Sequence, residues 1–283
     1  MPDLTTLQRV KRMIHTSTDD GSDDLMIQGF INAASTMVHA YCRRSFVPYR
    51  QLRVFDADGD DLEARVLELD EDLLEAITIT NGDGTVIAGD AYILLEPNTT
   101  PYNAIALQPS SGLRWTYTTD WRGAIQIDGI WGDHDAYADA WLDTLDAVQD
   151  DPLAAGATTI AVADADGIDA YGTPRFEVLQ YLKLDDEVVQ VVAINTQTDT
   201  LTVRRAALGT TAAAHAAATP IRSYQPMEDI RMACTSLATW LYRTRESVGE
   251  KIQFLGGAQI ITHEAPANIQ TTLRKHVRWG RGL

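Results

Sequence analysis

The hydrophobic period of this chain changes twice, and no other feature restricts its fold as much. Up to residue 46 the apolar residues recur at helical spacing. From 51 to about 221 they fall into short runs that alternate at period two. From 226 the helical spacing returns. Thr5 or Thr6 can cap a first helix with Leu7, Val10 and Ile14 on one face. The polar stretch TSTDDGSDD (16–24) interrupts it. Ser22 or Asp23 can cap a second helix, whose stripe is Met26, Phe30, Ala34, Met37 and Tyr41, widened by Ile31 and Val38. Arg43 and Arg44 suit its C-terminal dipole, and Pro48 stops it. At the far end Pro226 opens a helix running to 247, with Ile230, Ala233, Leu237, Trp240 and Leu241 on its apolar face and Met232 and Cys234 beside it. Gly256-Gly257 breaks the chain, AQIITH (258–263) reads as a strand, and IQTTLRKHVRW (269–279) as a last short helix. Helices this short are marginal alone, so the two ends must pack together across the middle. The expected contact sets Phe30, Met37 and Tyr41 against Leu237 and Trp240.

Between the helices, QLRVFDADGDD, ITITNGDGTVI, AYILLEP, AIALQP, LRWTYTTDW and AIQIDGIWG are β-prone runs separated by turns such as Asn81-Gly82 and Asp83-Gly84. Residues 133–152 are acidic and read as a short helix or a linker. A second β-rich stretch begins at 157, with NTQTD (195–199) as a turn and AAAHAAATPI (212–221) closing it. Its Ala- and Thr-rich makeup reads as a small, self-contained unit.

Charge divides the chain the same way. The net charge is −17, but residues 1–50 sum to +1, 51–225 to −21 and 226–283 to +3. A surface that grips nucleic acid is basic, because neutralised phosphates supply most of the affinity. The acidic middle argues against such a grip and suits a wall that repels a polyanion. The 45% hydrophobic content is too high for a disordered chain, and 283 residues suffice for one large domain or two small ones. No run of eighteen apolar residues offers a membrane span, and the N-terminus has no apolar signal core. The expectation is a protein made, and at least first used, inside a cell.

The motifs of common chemistries are missing from the sequence. DADGDD (56–61) begins like a calcium loop but has Asp61 where Gly is needed and Leu67 where the closing Glu belongs. VADADGIDAYG (162–172) fails likewise, although Asp164, Asp166 and Asp169 leave a loosely held cation open. NGDG (81–84) is not a phosphate cradle, and QPSSGL (108–113) is not a nucleophile elbow. No pair among His15, His39, His134, His215, His263 and His276 has metal-ligand spacing with a Glu. Cys42 and Cys234 sit in apolar helical patterns and read as buried free thiols. The six tryptophans read as core aromatics rather than sugar platforms. The expectation is no enzyme, no cofactor and no metal.

Three segments carry a family resemblance. They are TLQRVKRMIHTSTDDGSDDLMIQGFINAASTMVHAYCRRSF (6–46), the strand AIQIDGIWG (124–132), and PMEDIRMACTSLATWLYRTRESVG (226–249) with the closing APANIQTTLRKHVRWG (265–280). In order and spacing they resemble the head–tail connector (adaptor) proteins of long-tailed bacteriophages and related gene-transfer particles. In simpler members the strand runs almost directly into the Pro-led helix. Here about ninety residues intervene, so 136–224 reads as an inserted domain, dispensable for the core. Its TLTVRRAALGTTAAAHAAATPI (200–221) is similar to a small β module of virion proteins, with Ala206 where Gly is usual.

The resemblance implies an α+β fold: a helical adaptor core of two N-terminal helices plus the Pro226-led helix, an antiparallel β region, and an inserted small all-β domain. The division is 1–135 core, 136–224 insert, 225–263 core helix and strand, and 264–283 a docking tail. It implies a dodecameric ring below the portal at the capsid vertex, in the virion neck and assembled in the host cytoplasm. The ring would meet the portal protein, its own copies, and a stopper or tail-completion protein, while DNA passes without specific binding. Another neck, tail-completion or baseplate component, or an acidic binding module, stays open as an alternative. In the tail, Arg274, Lys275, Arg278 and Arg281 interleave with Trp279 and stand as candidate anchors for the portal or a neighbouring subunit.

Overall fold

The computed structural model describes residues 1–18, 20–58, 62–63, 65–169, 172–245 and 267–278, and its fold is α+β, with four helices and two antiparallel sheets. Helix α1 (Leu7–Ile14) is capped by Thr6, whose Oγ1 accepts from the Arg9 amide at 3.4 Å. Leu7 and Val10 are buried as the spacing predicts, and Lys11 is buried with them, only 1% exposed. A buried ammonium must be paired. Lys11 donates to the Thr18 and Asp20 carbonyls and to Asp24 Oδ1 at 3.0, 2.6 and 2.7 Å. The acidic gap between the first two helices is therefore folded around one cation.

Helix α2 (Asp24–Cys42) buries Ala34, Ile31 and Val38 of the expected stripe but leaves Met26, Met37 and Tyr41 outside. Its buried residues are Ile27, Ile31, Ala34, Ser35, Val38, His39 and Cys42. Met37 is 50% and Tyr41 43% exposed, and Met26 is also on the outside. The sequence carries two apolar stripes about one residue apart, roughly 100° around the axis. The branched one fits the close contact with helix α3 (Glu228–Thr244), so Met37 and Tyr41 are not core residues. Phe30 does reach α3, its ring meeting Tyr242 edge-on at 6.3 Å. On α3, Ile230, Ala233, Cys234, Leu237 and Ala238 are buried, while Trp240 and Leu241 pack half-buried against the same core. The helices run antiparallel, with the Tyr242 hydroxyl donating to Asp23 at one end and Ser35 meeting Cys234 further along.

Helix α4 (Ala267–Arg274) begins two residues before the expected start and lays Ile269 and Leu273 into this helical core. The expected strand at 258–263 and the Gly256-Gly257 break lie outside the described residues. Cys42 and Cys234 are free and buried, and burial pushes each thiol up to about 12.

The first sheet contains β1 (Tyr49–Phe55), β2 (Leu62–Glu63), β3 (Val66–Thr80), β4 (Tyr92–Leu95), β5 (Tyr102–Leu107) and β6 (Ile125–Trp131). Its order is β1-β6-β3-β5-β4, with β2 paired to β3. One face encloses Phe55, Leu67, Leu73, Ile79, Ile105, Ile127 and Trp131. The second sheet contains β7 (Trp141–Ala147), β8 (Thr159–Ala161), β9 (Tyr181–Leu184), β10 (Glu187–Asn195), β11 (Thr200–Arg204) and β12 (Pro220–Tyr224), ordered β7-β12-β9-β10-β11-β8. The acidic stretch expected as helix or linker is thus a 3-10 turn followed by strand β7. The sheet curls until its ends meet, where the Gln149 amide donates to the Ala161 carbonyl at 2.9 Å.

This second sheet has its own interior of Val148, Ile160, Phe176, Leu182, Val189, Leu201 and Ile221. It is nevertheless not self-contained. Ala140, Val178, Tyr181, Val188, Ala207 and Tyr224 belong to the helical core and cover α1, α2 and α3.

Candidate functional site

Two buried clusters of acid and arginine, one in each sheet, organise the polar interior. In the second sheet the β9–β10 hairpin places Glu187 opposite Leu184, and the end of β11 brings Arg205 against it. Arg205 grips both carboxylate oxygens at 2.7 Å. The amides of Ala206 and Ala213 donate to the same carboxylate at 3.0 Å. His215 closes the cluster, its ring between Glu187 at 3.0 Å and Asp185 at 2.8 Å. The remaining Arg205 protons go to the carbonyls of Ala154, Ala157 and Ala213. Burial alone would raise the Glu187 acid, but Arg205 and the two amides outweigh it and hold the group down to about 2.

The turn that follows Arg205 is left-handed at Ala206 (φ 51°) and Leu208 (φ 55°). Both are non-glycine residues in a backbone region that favours glycine. At Gly209 a Cβ would stand 2.1 Å from the Arg50 carbonyl of β1. Only glycine lets this turn lie against the first sheet. A second attachment reaches α1. Glu177, buried, accepts from the Thr6 hydroxyl at 2.7 Å and Arg12 at 2.6 Å, with Arg9 at 3.2 Å.

The other cluster lies where the C-terminal end of α2, the first sheet and the residues after α4 converge. Arg44 spans Asp133 at 2.9 Å and Asp72 at 3.4 Å. Arg278 approaches Glu71 and Asp72 at 3.6 and 3.9 Å, donates to the Leu69 carbonyl, and is tied by its amide to the Cys42 carbonyl at 2.9 Å. Contacts this long do not complete the hydrogen bonding. Arg44 Nε, Asp72 Oδ2 and Arg278 Nη1 are buried with no hydrogen-bond partner among the described residues. Burial pushes the Asp72 carboxyl up to about 6 despite both arginines. Beside the cluster opens a cleft of about 850 Å³.

A third group is exposed. Carboxylate oxygens of Asp164, Asp166 and Asp199 lie within 4.8 Å of one another and could hold a cation. A hydrogen bond to Asp166, together with its charge, raises the Asp164 carboxyl. Asp169, expected in this group, instead accepts from the Thr173 amide in its own turn. Asp199 was not expected there, because it arrives from the β10–β11 turn.

The described histidines with side-chain bonds meet backbone or carboxylates: His39 the Arg44 and Pro2 carbonyls, His134 the Gln225 carbonyl, His276 Asp229. The tail anchors divide. Arg274 and Lys275 are exposed, whereas Arg278 is engaged by its own chain. Trp279 and Arg281 lie outside the described residues. Sequence reasoning passed over Asp72, Asp133, Glu177 and Glu187. The available signal for Glu187 was an acid at the start of a strand that is otherwise apolar, facing the Arg205 of a flagged motif. No helix among the described residues is long and apolar enough to cross a membrane. Neither a protein-family model nor a curated protein matches the chain.

Proposed function

We propose that the chain is a structural virion protein, a head–tail connector that repeats as a dodecameric ring below a portal, extends the DNA channel and offers a platform to a stopper or tail. One observation carries this reading most directly. The outer side of α2 presents Leu25, Met26, Met37 and Tyr41 to solvent along one helix. Exposed apolar side chains repeated along one helix suit an interaction face, and repeated copies would cover them. The acidic middle, net −21, adds a surface along which DNA slides without being gripped. The fully bonded Glu187–Arg205–His215 cluster gives the rigidity that a ring subunit needs.

Negative-stain imaging of the purified protein mixed with portal rings tests it. Co-assembled rings are expected. Isolated particles that ignore the portal would overturn the reading, and so would tight duplex-DNA binding at physiological salt.

A further inference from the structure

The cleft beside Arg44 and Asp72 has the size of a ligand site, which typically spans roughly 300–1,000 Å³. Three of its acids are engaged by their own chain. Arg53 holds both oxygens of Asp70 at 2.8 and 3.3 Å, the Gly123 amide donates to Asp56 at 2.7 Å, and Glu68 also has a partner. The arginines of the lining are less fully bonded. Arg43 is exposed, and its side chain makes no hydrogen bond or ion pair among the described residues. Among the same residues Arg44 lacks a hydrogen-bond partner at Nε and Arg278 at Nη1. The lining is therefore short of acceptors, and the group that best meets a guanidinium is a carboxylate or another oxyanion.

One acid stands apart. Asp72 is 4% exposed, and its Oδ2 has no hydrogen-bond partner among the described residues. Four charged groups face it: Arg44 from the end of α2, Arg278 from the residues after α4, Asp133 from the loop after β6, and Glu71 beside it in β3. Ionised, Asp72 repels an incoming anion. Protonated, it is neutral and its O–H can donate. The lining also holds Val54, Phe55, Leu69 and Pro101, of which Val54 is 58% exposed.

We propose that the cleft is a binding site for an oxyanion carried on a small apolar body, with Arg43 as its uncommitted cation and Asp72 as its gate. The anion pairs with Arg43, and the apolar body covers Val54 and Pro101. The site is open when Asp72 is a neutral acid and closed when it is a carboxylate. Burial pushes that carboxyl up to about 6, which sets the gate in the mildly acidic range. This role is independent of the connector reading and holds for a single protomer.

Calorimetric titration of the full-length protein with benzenesulfonate tests it, because this probe stays ionised throughout the range. Binding is expected to be about tenfold tighter at about pH 5.5 than at about pH 7.5. Asp72→Asn should bind the probe at the neutral pH as tightly as the native protein does at the acid one. Arg43→Gln alters an exposed residue. It should weaken binding at the acid pH by roughly tenfold or more, with an unchanged denaturant midpoint. Inorganic sulfate, which has no apolar body, should bind more weakly than benzenesulfonate by about tenfold or more. Absence of binding at the acid pH overturns the proposal, and so does full affinity in Arg43→Gln. A pH dependence that persists in Asp72→Asn overturns the gate. Sulfate binding as tight as that of benzenesulfonate overturns the apolar half of the site.

Discussion

Glu187 and Asp72 are both buried acids beside arginine, and their surroundings drive them in opposite directions. Glu187 faces a two-pronged guanidinium, two amides and an imidazole, all within 3.0 Å. Asp72 faces two guanidiniums no closer than 3.4 Å, and one of its oxygens has no hydrogen-bond partner among the described residues. The first is held down to about 2 and the second pushed up to about 6. Opposite charge nearby does not by itself settle a buried acid; donors at bonding distance do. The Glu187 cluster is complete and holds a turn. The Asp72 cluster is incomplete and borders a cleft.

Removing one side of the comparison altogether has the largest effect. Replacing 140–222 with a Gly/Ser linker should abolish the cooperative helical transition in circular dichroism, because Val178, Tyr181 and Tyr224 cover α1 to α3. A retained transition would show that the helices and the first sheet stand without the insert. Next comes Glu187→Ala, which strands Arg205 and His215 in the interior. It should lower stability by about 3–5 kcal/mol in denaturant titration. A change below about 1 kcal/mol would remove the distinction between the two clusters.

Titration sharpens the contrast further. Glu187 has a depressed folded value, so its contribution is full above its ordinary 4.5 and disappears as pH falls toward 2. Asp72 has a raised one, so its contribution is full below 3.8 and disappears as pH rises through 6. Asp72→Asn should therefore gain on the native protein between pH 4 and 7, by at most about 3 kcal/mol. Denaturant midpoints at the two pH values give the answer, and a gain at acid pH instead would reverse the assignment. The smallest effect is expected for Arg44→Lys. Arg44 makes only one contact shorter than 3.0 Å in its cluster, to Asp133, so losing its planar fork should cost about 1 kcal/mol or less. Arg205→Lys, at the complete cluster, should cost clearly more in the same titration.

The helices were legible because their period is strong, and the element types at both ends follow from it. Which side of α2 faces inward was not. Ile27, Ile31, Val38 and Cys42 compete with Met26, Phe30, Met37 and Tyr41, and both stripes satisfy the same spacing. Only the partner helix decides, by accepting the branched, closely packing set. The acid clusters were hidden for another reason. Residues 51–225 hold thirty acids, and nothing local marks the few that become buried. Glu187 meets Arg205 across 18 positions and His215 across 28, distances that only the hairpin closes. The strand in 141–147 was obscured by its acidic side chains, which point outward or cap loops, as Asp146 does for the amides of Ala163 and Asp164.

The N-terminal helices are completed by parts of the chain made much later. Thr5 bonds to Thr235 across 230 positions, Asp3 to Gln190 across 187, and Cys42 to Leu273 across 231. At a synthesis rate of about 5–20 residues per second, some 10–50 s separate α1 from its partner on α3. Throughout that interval Ile27, Ile31 and Val38 lack the part of their cover that α3 and α4 provide. On the ribosome, the residues of both sheets emerge before the α3 residues that complete the helical layer. A nascent chain stopped before α3 therefore presents apolar helix faces that lack their α3 partner.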